Sequence, residues 1–509
     1  MEGGMSRRGF LGRVAAALGA WLLEPVRRAL GRERERLRPE GEPECEVAVV
    51  GGGFAGVAAA ALLAGEDYDV VLLEKEAVAG GRARAGVRDG WQYARGVSYI
   101  GRPEGTLRRL FQLAKLEPVR VPPPVGALFA GGQLLRGRAA VEYLLGGEPG
   151  ARRRRLERLD ERLGQLARAV ERDPWQPGRR ALRHDRTSLA ELLGRLEAPA
   201  PLVRYLDGQM RGIFGASLAE LSALYAAPEA YFELPEADEP PGDPGAAERP
   251  EHPDDALYTL PETLGELPRR LGARLGERAR LGAEVRELRW DAEARRFGVH
   301  WVESGGEQRR LRARAVVLAV PAPVALALAR ELLVPEVAGA LARVRYAPYV
   351  TVNLFSPRPL MTAAWDLSCL DTAFTDLYDA TRVQARARGV PEAERPGILG
   401  VYVPGAHAAD RSWVEMEEGR LLARLFADLE RVLGRQVRHE VEGWDVARFG
   451  LAFPVFYPGY HAEVLGPLAA PAARAGAPLY LAGDYACYPT VEGAVASAER
   501  AAEALDEAW

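Results

Sequence analysis

Gly51-Gly52-Gly53-Phe54-Ala55-Gly56 is the earliest stretch whose residue types and spacing could do chemistry, and it fits G-x-G-x-x-G. In that pattern Gly51 permits a tight turn, Gly53 lets the backbone approach a pyrophosphate, and Gly56 lets a helix pack close to a strand. Phe54 and Ala55 open that helix, whose positive end would face the phosphates. Glu74 closes a second apolar run, where an acid can accept hydrogen bonds from ribose hydroxyls, and Lys75 follows it. Gly80-Gly81-Arg82 adds a close backbone turn and a guanidinium able to pair with phosphate. These residues together describe a dinucleotide site. Acid–base candidates are sparse. His461 could transfer a proton near neutral pH, and Asn353 is the other polar group to watch. The ordinary role of a lone histidine in such a loop is to be solvated.

The elements that must position these residues can be read from periodicity. Val47 to Val50 and Val70 to Leu73 are short apolar runs of the kind buried in a parallel sheet, and Phe54 to Leu63 between them is Ala-rich and helical. Val316 to Val320 and Leu479 to Leu481 read as further buried strands, and strands are expected near 283–290, 296–302, 349–355 and 398–403. Helices are expected over 107–117, 152–171, 188–196, 264–275, 415–433 and 493–505. The heavily charged 152–171 stretch reads as a solvated face, and the Glu-, Asp- and Pro-rich stretch Glu233 to Asp255 as a loop. The nucleotide-binding elements therefore sit at the beginning, middle and end of the chain. Segments 45–125, 276–325 and 435–509 are expected to form one discontinuous domain, and 126–275 with 326–434 a substrate domain inserted into it.

Residues 47–84, VAVVGGGFAGVAAAALLAGEDYDVVLLEKEAVAGGRAR, resemble the opening of the flavin-containing amine oxidase and phytoene desaturase superfamily. The resemblance continues at Gly96-Val97-Ser98-Tyr99-Ile100, at Ala283-Glu284-Val285 and at Ala315 to Pro321. It is strongest at Tyr480 to Asp484 and at Glu492-Gly493-Ala494-Val495. It implies an α/β fold: a Rossmann-like FAD-binding domain of the glutathione-reductase type with an inserted α+β substrate domain. It also implies that Val97, Ser98 and Tyr99 line the isoalloxazine and that Val285 meets the adenine through its backbone. Gly483 and Asp484 would reach the ribityl or phosphate, and the last helix would point its N-terminus at the flavin, where a reduced flavin is anionic. Ala94 departs from the pattern, standing where many relatives carry an acid. There is no second G-x-G-x-x-G for a nicotinamide, so oxygen or a quinone is the expected electron acceptor.

The substrate side weakens an amine oxidase reading. Amine-oxidising relatives commonly have a lysine in the strand where Thr351 stands, and two aromatic rings where Ala452 and Thr490 stand. No cysteine lies near Ala452, so FAD is expected to be held non-covalently, and Cys487 reads as a small packing residue. Phe453, Phe456, Tyr457, Tyr460, Tyr485 and Tyr488 make the flavin-proximal segments aromatic, which suits a lipophilic small-molecule substrate.

The chain has 509 residues, 48% hydrophobic and 27% charged, an ordinary balance for about two domains. Its net charge of −4 argues against a nucleic-acid partner. Three scattered cysteines and six histidines without ligand spacing give no disulfide framework and no expected metal. Ser6-Arg7-Arg8-Gly9-Phe10-Leu11 before the apolar run Val14 to Leu23 reads as a twin-arginine export signal, with residues 1–44 as signal and linker. The expected partner during export is the twin-arginine translocon. The product would be periplasmic, either free or tethered by its N-terminus in peripheral contact with the membrane. The expected function is removal of a hydride equivalent from a lipophilic organic substrate by FAD. The alternatives are an amine or amino-acid oxidase, or a non-catalytic binding protein of the same fold.

Overall fold

A computed structural model of the chain describes residues 43–122, 125–146, 149–230, 232, 257–474 and 476–509. The twin-arginine segment and the acidic loop from Glu233 to Asp255 lie outside the described residues. Among the described residues no helix is long and apolar enough to cross a membrane.

Two seven-stranded sheets carry the fold. The first is centred on Glu44–Val50, which pairs in parallel with Gln308–Leu318 on one side and Val70–Glu74 on the other. Burial on both faces explains why the VAVV run has no polar alternation: Val47, Ala48 and Val49 are fully buried. Ala279–Leu281 extends this sheet beyond Val70–Glu74. Ala283–Asp291 and Arg296–Glu303 form its antiparallel edge, and Leu479–Leu481 joins Gln308–Leu318 in parallel. The helices Phe54–Gly65 and Val491–Glu507 pack on it side by side. Their facing residues are mostly alanines (Ala58 and Ala59 against Ala494, Ala498 and Ala501), so the two axes can approach closely.

The second sheet runs in the order Gly443–Pro454, Tyr346–Ser356, Gly397–Pro404, Asp376–Asp379, Asp366–Cys369, Gly126–Ala130, Gln133–Leu135. Gly443–Pro454, from the C-terminal 435–509 segment, thus pairs with Tyr346–Ser356 in this sheet. One face is aliphatic. Val350, Val352, Leu354, Leu377, Leu399, Val401 and Val403 are buried under the helix Glu418–Leu433, which presents Leu421, Leu422, Leu425, Phe426 and Leu429. Each such side chain contributes about 1.5–3 kcal/mol, so this face fixes the register. The opposite face is aromatic and polar, and it meets the first sheet's domain.

Local differences from the sequence reading have physical causes. The charged helix spans Pro149–Arg172, and it is not simply a solvated face: Leu156, Leu159, Leu163, Leu166 and Val170 form a buried stripe at helical spacing. The expected 415–433 helix is two, Ser412–Glu415 and Glu418–Leu433, because Met416 turns extended after the first and Glu417 caps the second through the Gly419 and Arg420 amides. The last helix begins at Val491, with Thr490 as its N-cap.

Candidate active site

The glycine turn is built by close contacts that only glycine tolerates. Gly51 sits at φ +106°, and a Cβ there would lie 2.4 Å from the Ala319 carbonyl oxygen. A Cβ on Gly56 would lie 1.7 Å from the Gly51 oxygen, so the helix is pressed onto the turn. Gly53 differs: a Cβ there meets nothing within 4 Å, so its backbone faces open space at the helix N-terminus. Phe54 and Ala55 are buried in the first helical turn. The Glu74 carboxylate is buried, accepts from the Gly52 amide, and accepts from the Glu76 amide at 2.8 Å. Lys75 points away to solvent beside Glu76, 3.7 Å off. Gly81 (φ +57°) packs over Gly53, within 3.2 Å of its Cα for an added Cβ, and the Gly80 amide donates to the Gly52 carbonyl at 2.8 Å.

Arg82 ties the beginning of the chain to its end. It donates to both Asp484 carboxylate oxygens, at 2.6 and 2.9 Å, and to the Ala452 carbonyl at 2.6 Å. Burial opposes the guanidinium charge, but Asp484 outweighs it and holds the group firmly protonated. The Gly483 amide donates to Ser497 Oγ at 2.8 Å, locking this turn onto the last helix. At that helix's start, Thr490 Oγ1 accepts from the Gly493 amide at 3.2 Å. A Cβ on Gly493 would lie 2.1 Å from the Tyr488 carbonyl, while Ala494 and Val495 are buried behind it. Glu492 accepts from the Gly101 amide at 3.2 Å and so joins this helix to the 96–100 segment.

That segment is held from three sides. A Cβ on Gly96 would lie 1.9 Å from the Arg82 carbonyl oxygen, and the Val97 amide donates to the same oxygen at 3.4 Å. The Ser98 carbonyl accepts from Thr259 at 2.7 Å, and its hydroxyl accepts from Tyr402. Tyr99 stands edge-on to Trp365 at 5.8 Å. Val285 is buried at the start of the antiparallel edge, just before a bulge.

The profile of the family described as flavin containing amine oxidoreductase matches residues 54–506. The chain belongs to that family. Among curated proteins it is similar to pseudooxynicotine dehydrogenase of Pseudomonas sp, 34% identical over 104 residues, 19% of this chain and 21% of that protein. It is also similar to all-trans-retinol 13,14-reductase of Homo sapiens, 42% identical over 65 residues, 13% of this chain and 11% of that one. The chain thus matches about a fifth or less of the length of these relatives. Solved structures extend the likeness in fold. A putrescine oxidase bound to putrescine has a TM-score of 0.69 at 19% identity, covering 91% of this chain and 99% of its own. Cyclohexylamine oxidase from Brevibacterium oxydans IH-35A has 0.68 at 20%, covering 92% and 99%.

This flavin oxidoreductase is therefore an FAD enzyme, and its residues fit the cofactor. The open face of Gly53, the buried Glu74 carboxylate and the capped start of the last helix are each of the kind that FAD binding needs. One group that sequence reasoning missed lies beside them. Thr263 is buried at φ +144° with its hydroxyl unpaired. Two residues on, a Cβ at Gly265 would lie 2.2 Å from the Ala83 carbonyl oxygen, so this turn presses on the Gly80–Arg82 motif. The only signal in sequence is a Thr-Leu-Gly before an amphipathic helix.

The two watched polar residues separate. Asn353 is fully buried and donates to the Ala94 carbonyl at 3.0 Å, an oxygen that also accepts from Tyr378. Thr351 does the same one turn of the pleat away, donating to the Arg95 carbonyl at 2.7 Å. His461 is not brought to the 96–100 segment by any of its contacts. Its Nδ1 lies 2.7 Å from the Tyr225 hydroxyl, its amide donates to Asp185, and burial lowers its pKa. The three cysteines are all buried.

Proposed function

We propose that this FAD enzyme oxidises a lipophilic organic substrate by removing a hydride equivalent, passing the electrons on to oxygen or a quinone. The observation that carries this reading is the state of the sheet face behind the 94–98 segment. Its rings, Tyr349, Tyr378, Tyr402 and Phe453, pack against one another at centroid distances of 5.2–6.1 Å. Its polar side chains, Thr351 and Asn353, spend their donors on the carbonyls of Arg95 and Ala94. A wall of this kind places and desolvates a C–H bond without supplying a general base, and FAD itself supplies the hydride acceptor.

An amine or amino-acid oxidase is the second reading. The observation favouring it is a pair of carboxylates, Asp366 and Asp376, on the same sheet face as those rings. The test is anaerobic bleaching of the flavin absorbance by polyene lipids, long-chain amphiphiles, short amines and amino acids. Bleaching by the long apolar compounds supports the proposal. Bleaching confined to short amines or amino acids overturns it.

A further inference from the structure

A cavity arises where one strand of the first sheet changes partner. Along 308–313 the strand Gln308–Leu318 pairs antiparallel with Arg296–Glu303, and along 316–318 it pairs in parallel with Leu479–Leu481. Glu44–Val50 occupies its other side. Both partners therefore share one edge and leave a gap between them at Arg314 and Ala315. The gap opens into a cavity of about 770 Å³, closed by the 468–478 segment and the last helix. That size suits a small organic ligand. Gly51 to Gly56, Glu74, Arg82, Asp484 and Gly493 do not line it.

Its walls are flat rings and guanidiniums. Trp175, Trp290 and Trp509 line it, and each indole is held in place. Trp175 Nε1 donates to the Ala486 carbonyl at 2.7 Å, Trp290 packs on Phe297 at 4.7 Å, and Trp509 stands edge-on to Tyr68 at 5.2 Å. Arg314 lies 4.0 Å from the Trp509 ring centre, and Arg500 lies 4.7 Å from that of Trp175. A guanidinium stacked on a ring keeps its N–H edge free for a carboxylate. Arg295 and Arg296 add two more cations, against one acid, Glu293.

These charges are poorly compensated. Arg286, Arg289 and Arg309, on the same antiparallel edge, each pair with a glutamate two residues away. Glu293 stands equally close in sequence to Arg295 and does not pair with it. Arg314 shares Glu46 at 3.6 Å. Among the described residues, Arg295, Arg296 and Arg500 have no ion-pair partner, and Arg296 donates to the Arg295 carbonyl at 3.1 Å. The Trp290 indole N–H is buried without a hydrogen-bond partner, an uncommon state for a buried donor. Unpaired guanidiniums beside fixed indoles match a ligand with a negative charge and a flat apolar body.

We propose that this cavity binds an organic anion with a planar aromatic body, its carboxylate held by the unpaired guanidiniums and its ring laid against the indoles. The site is separate from the one that oxidises substrate, and it does not depend on the substrate being lipophilic.

The test uses the FAD-loaded full chain and three probes: 2-naphthoate, its neutral counterpart 2-naphthamide, and octanoate, which has the charge without the ring. Binding is measured by titration calorimetry, with the oxidised flavin spectrum recorded alongside. 2-Naphthoate is expected to bind about tenfold more tightly than either of the others, as one charge-assisted hydrogen bond and a stacked ring would give. The flavin spectrum should not change. Arg500→Gln and, separately, Arg296→Gln should each remove most of the preference over the amide, with FAD content and thermal midpoint as in the parent. Neither residue has a salt bridge to lose, so folding should survive both changes. Equal binding of 2-naphthoate and 2-naphthamide by the parent, or a preference kept in both variants, overturns the proposal. Octanoate binding as tightly as 2-naphthoate overturns the planar body. Binding that shifts the flavin spectrum and ignores both variants places the ligand at the flavin and overturns the site.

Discussion

Around Gly51–Gly56 the decisive contacts are backbone to backbone: Gly56 against the Gly51 oxygen, Gly51 against Ala319, Gly80 on Gly52. On the second sheet they are side chain to backbone or side chain to side chain, between strands far apart in the chain: Thr351 to Arg95, Asn353 to Ala94, Tyr402 to Ser98. A site made of close backbone approaches has few chemical solutions, because only glycine leaves the space. A site made of cross-strand side chains has many, because any residue of suitable size and polarity can stand at a given position. The first region suits a cofactor common to a whole family, and the second leaves room for variation in substrate.

The largest effect should come from breaking the first region. Gly56→Ala places a methyl 1.7 Å from the Gly51 oxygen, where neither backbone can yield without undoing the turn. The expected outcome is several kcal/mol of destabilisation, of the order of 4 or more, as for other severe backbone clashes, and a colourless protein. Gly53→Ala is the matched control, since its added methyl meets no protein atom within 4 Å. It should fold with nearly unchanged thermal stability and lose FAD affinity alone, because the methyl enters the space the cofactor needs. Flavin absorbance after purification, set beside the thermal midpoint of each variant, decides the matter. If Gly53→Ala keeps its FAD, the space before that helix is not where the cofactor lies.

The same contrast explains what the sequence could and could not reveal. The glycine loop, Glu74, Arg82 and Asp484 are motif residues at fixed offsets from recognisable strands, so their positions follow from the strands. The pairing of Arg82 with Asp484 and Ala452 is a different matter, since 402 and 370 residues separate the partners. The helix Ala200–Phe214 was missed because Gly208 and Gly212 lower its intrinsic propensity, and tertiary packing restores it. Gly212 is needed where it is, for the Asp376 carboxylate lies against it. Asp366 and Asp376 become a pair only through register: opposition to Tyr378 and Tyr402 puts both on the face that carries the rings. His461 and Asn353 stood out by residue type, but type says nothing about which carbonyl or hydroxyl a side chain will find.

A carboxyl that neither region's motif predicts offers an intermediate test. Burial pushes Glu229 up to about 7, with Glu492 and Glu171 adding to the rise, and Glu492 belongs to the flavin-binding end. A carboxyl whose folded pKa is raised stabilises the fold below its unfolded value and loses that contribution as pH climbs through the folded value. The loss therefore falls between about pH 4.5 and pH 7 and amounts to about 3 kcal/mol. The parent protein should melt lower at about pH 8 than at about pH 5, and Glu229→Gln should flatten most of that slope. An unchanged slope in the variant would mean that other acids carry the pH dependence. A flattened slope with FAD content unchanged would place Glu229 away from the cofactor.

The smallest effect tests whether the polar row of the second sheet is architecture or chemistry. Thr351→Val keeps the shape of the side chain and removes the donor to the Arg95 carbonyl. Thr351 is 1% exposed, so the orphaned carbonyl gains no water easily, and the cost should be about 1 kcal/mol, rising towards the upper end of the usual 1–3 if none enters. Thermal melting reads that number. Turnover reads the other half of the question. If Thr351 only holds the backbone that carries Gly96 to Tyr99, kcat and its pH profile should stay as they are once the protein is fully loaded with FAD. A hydroxyl that instead positions a proton or a water at the reacting carbon would, on removal, lower kcat by about a hundredfold or more with little change in melting. Each role lowers one measurement and leaves the other as it is, so one variant places this row either with the scaffold or with the catalytic groups.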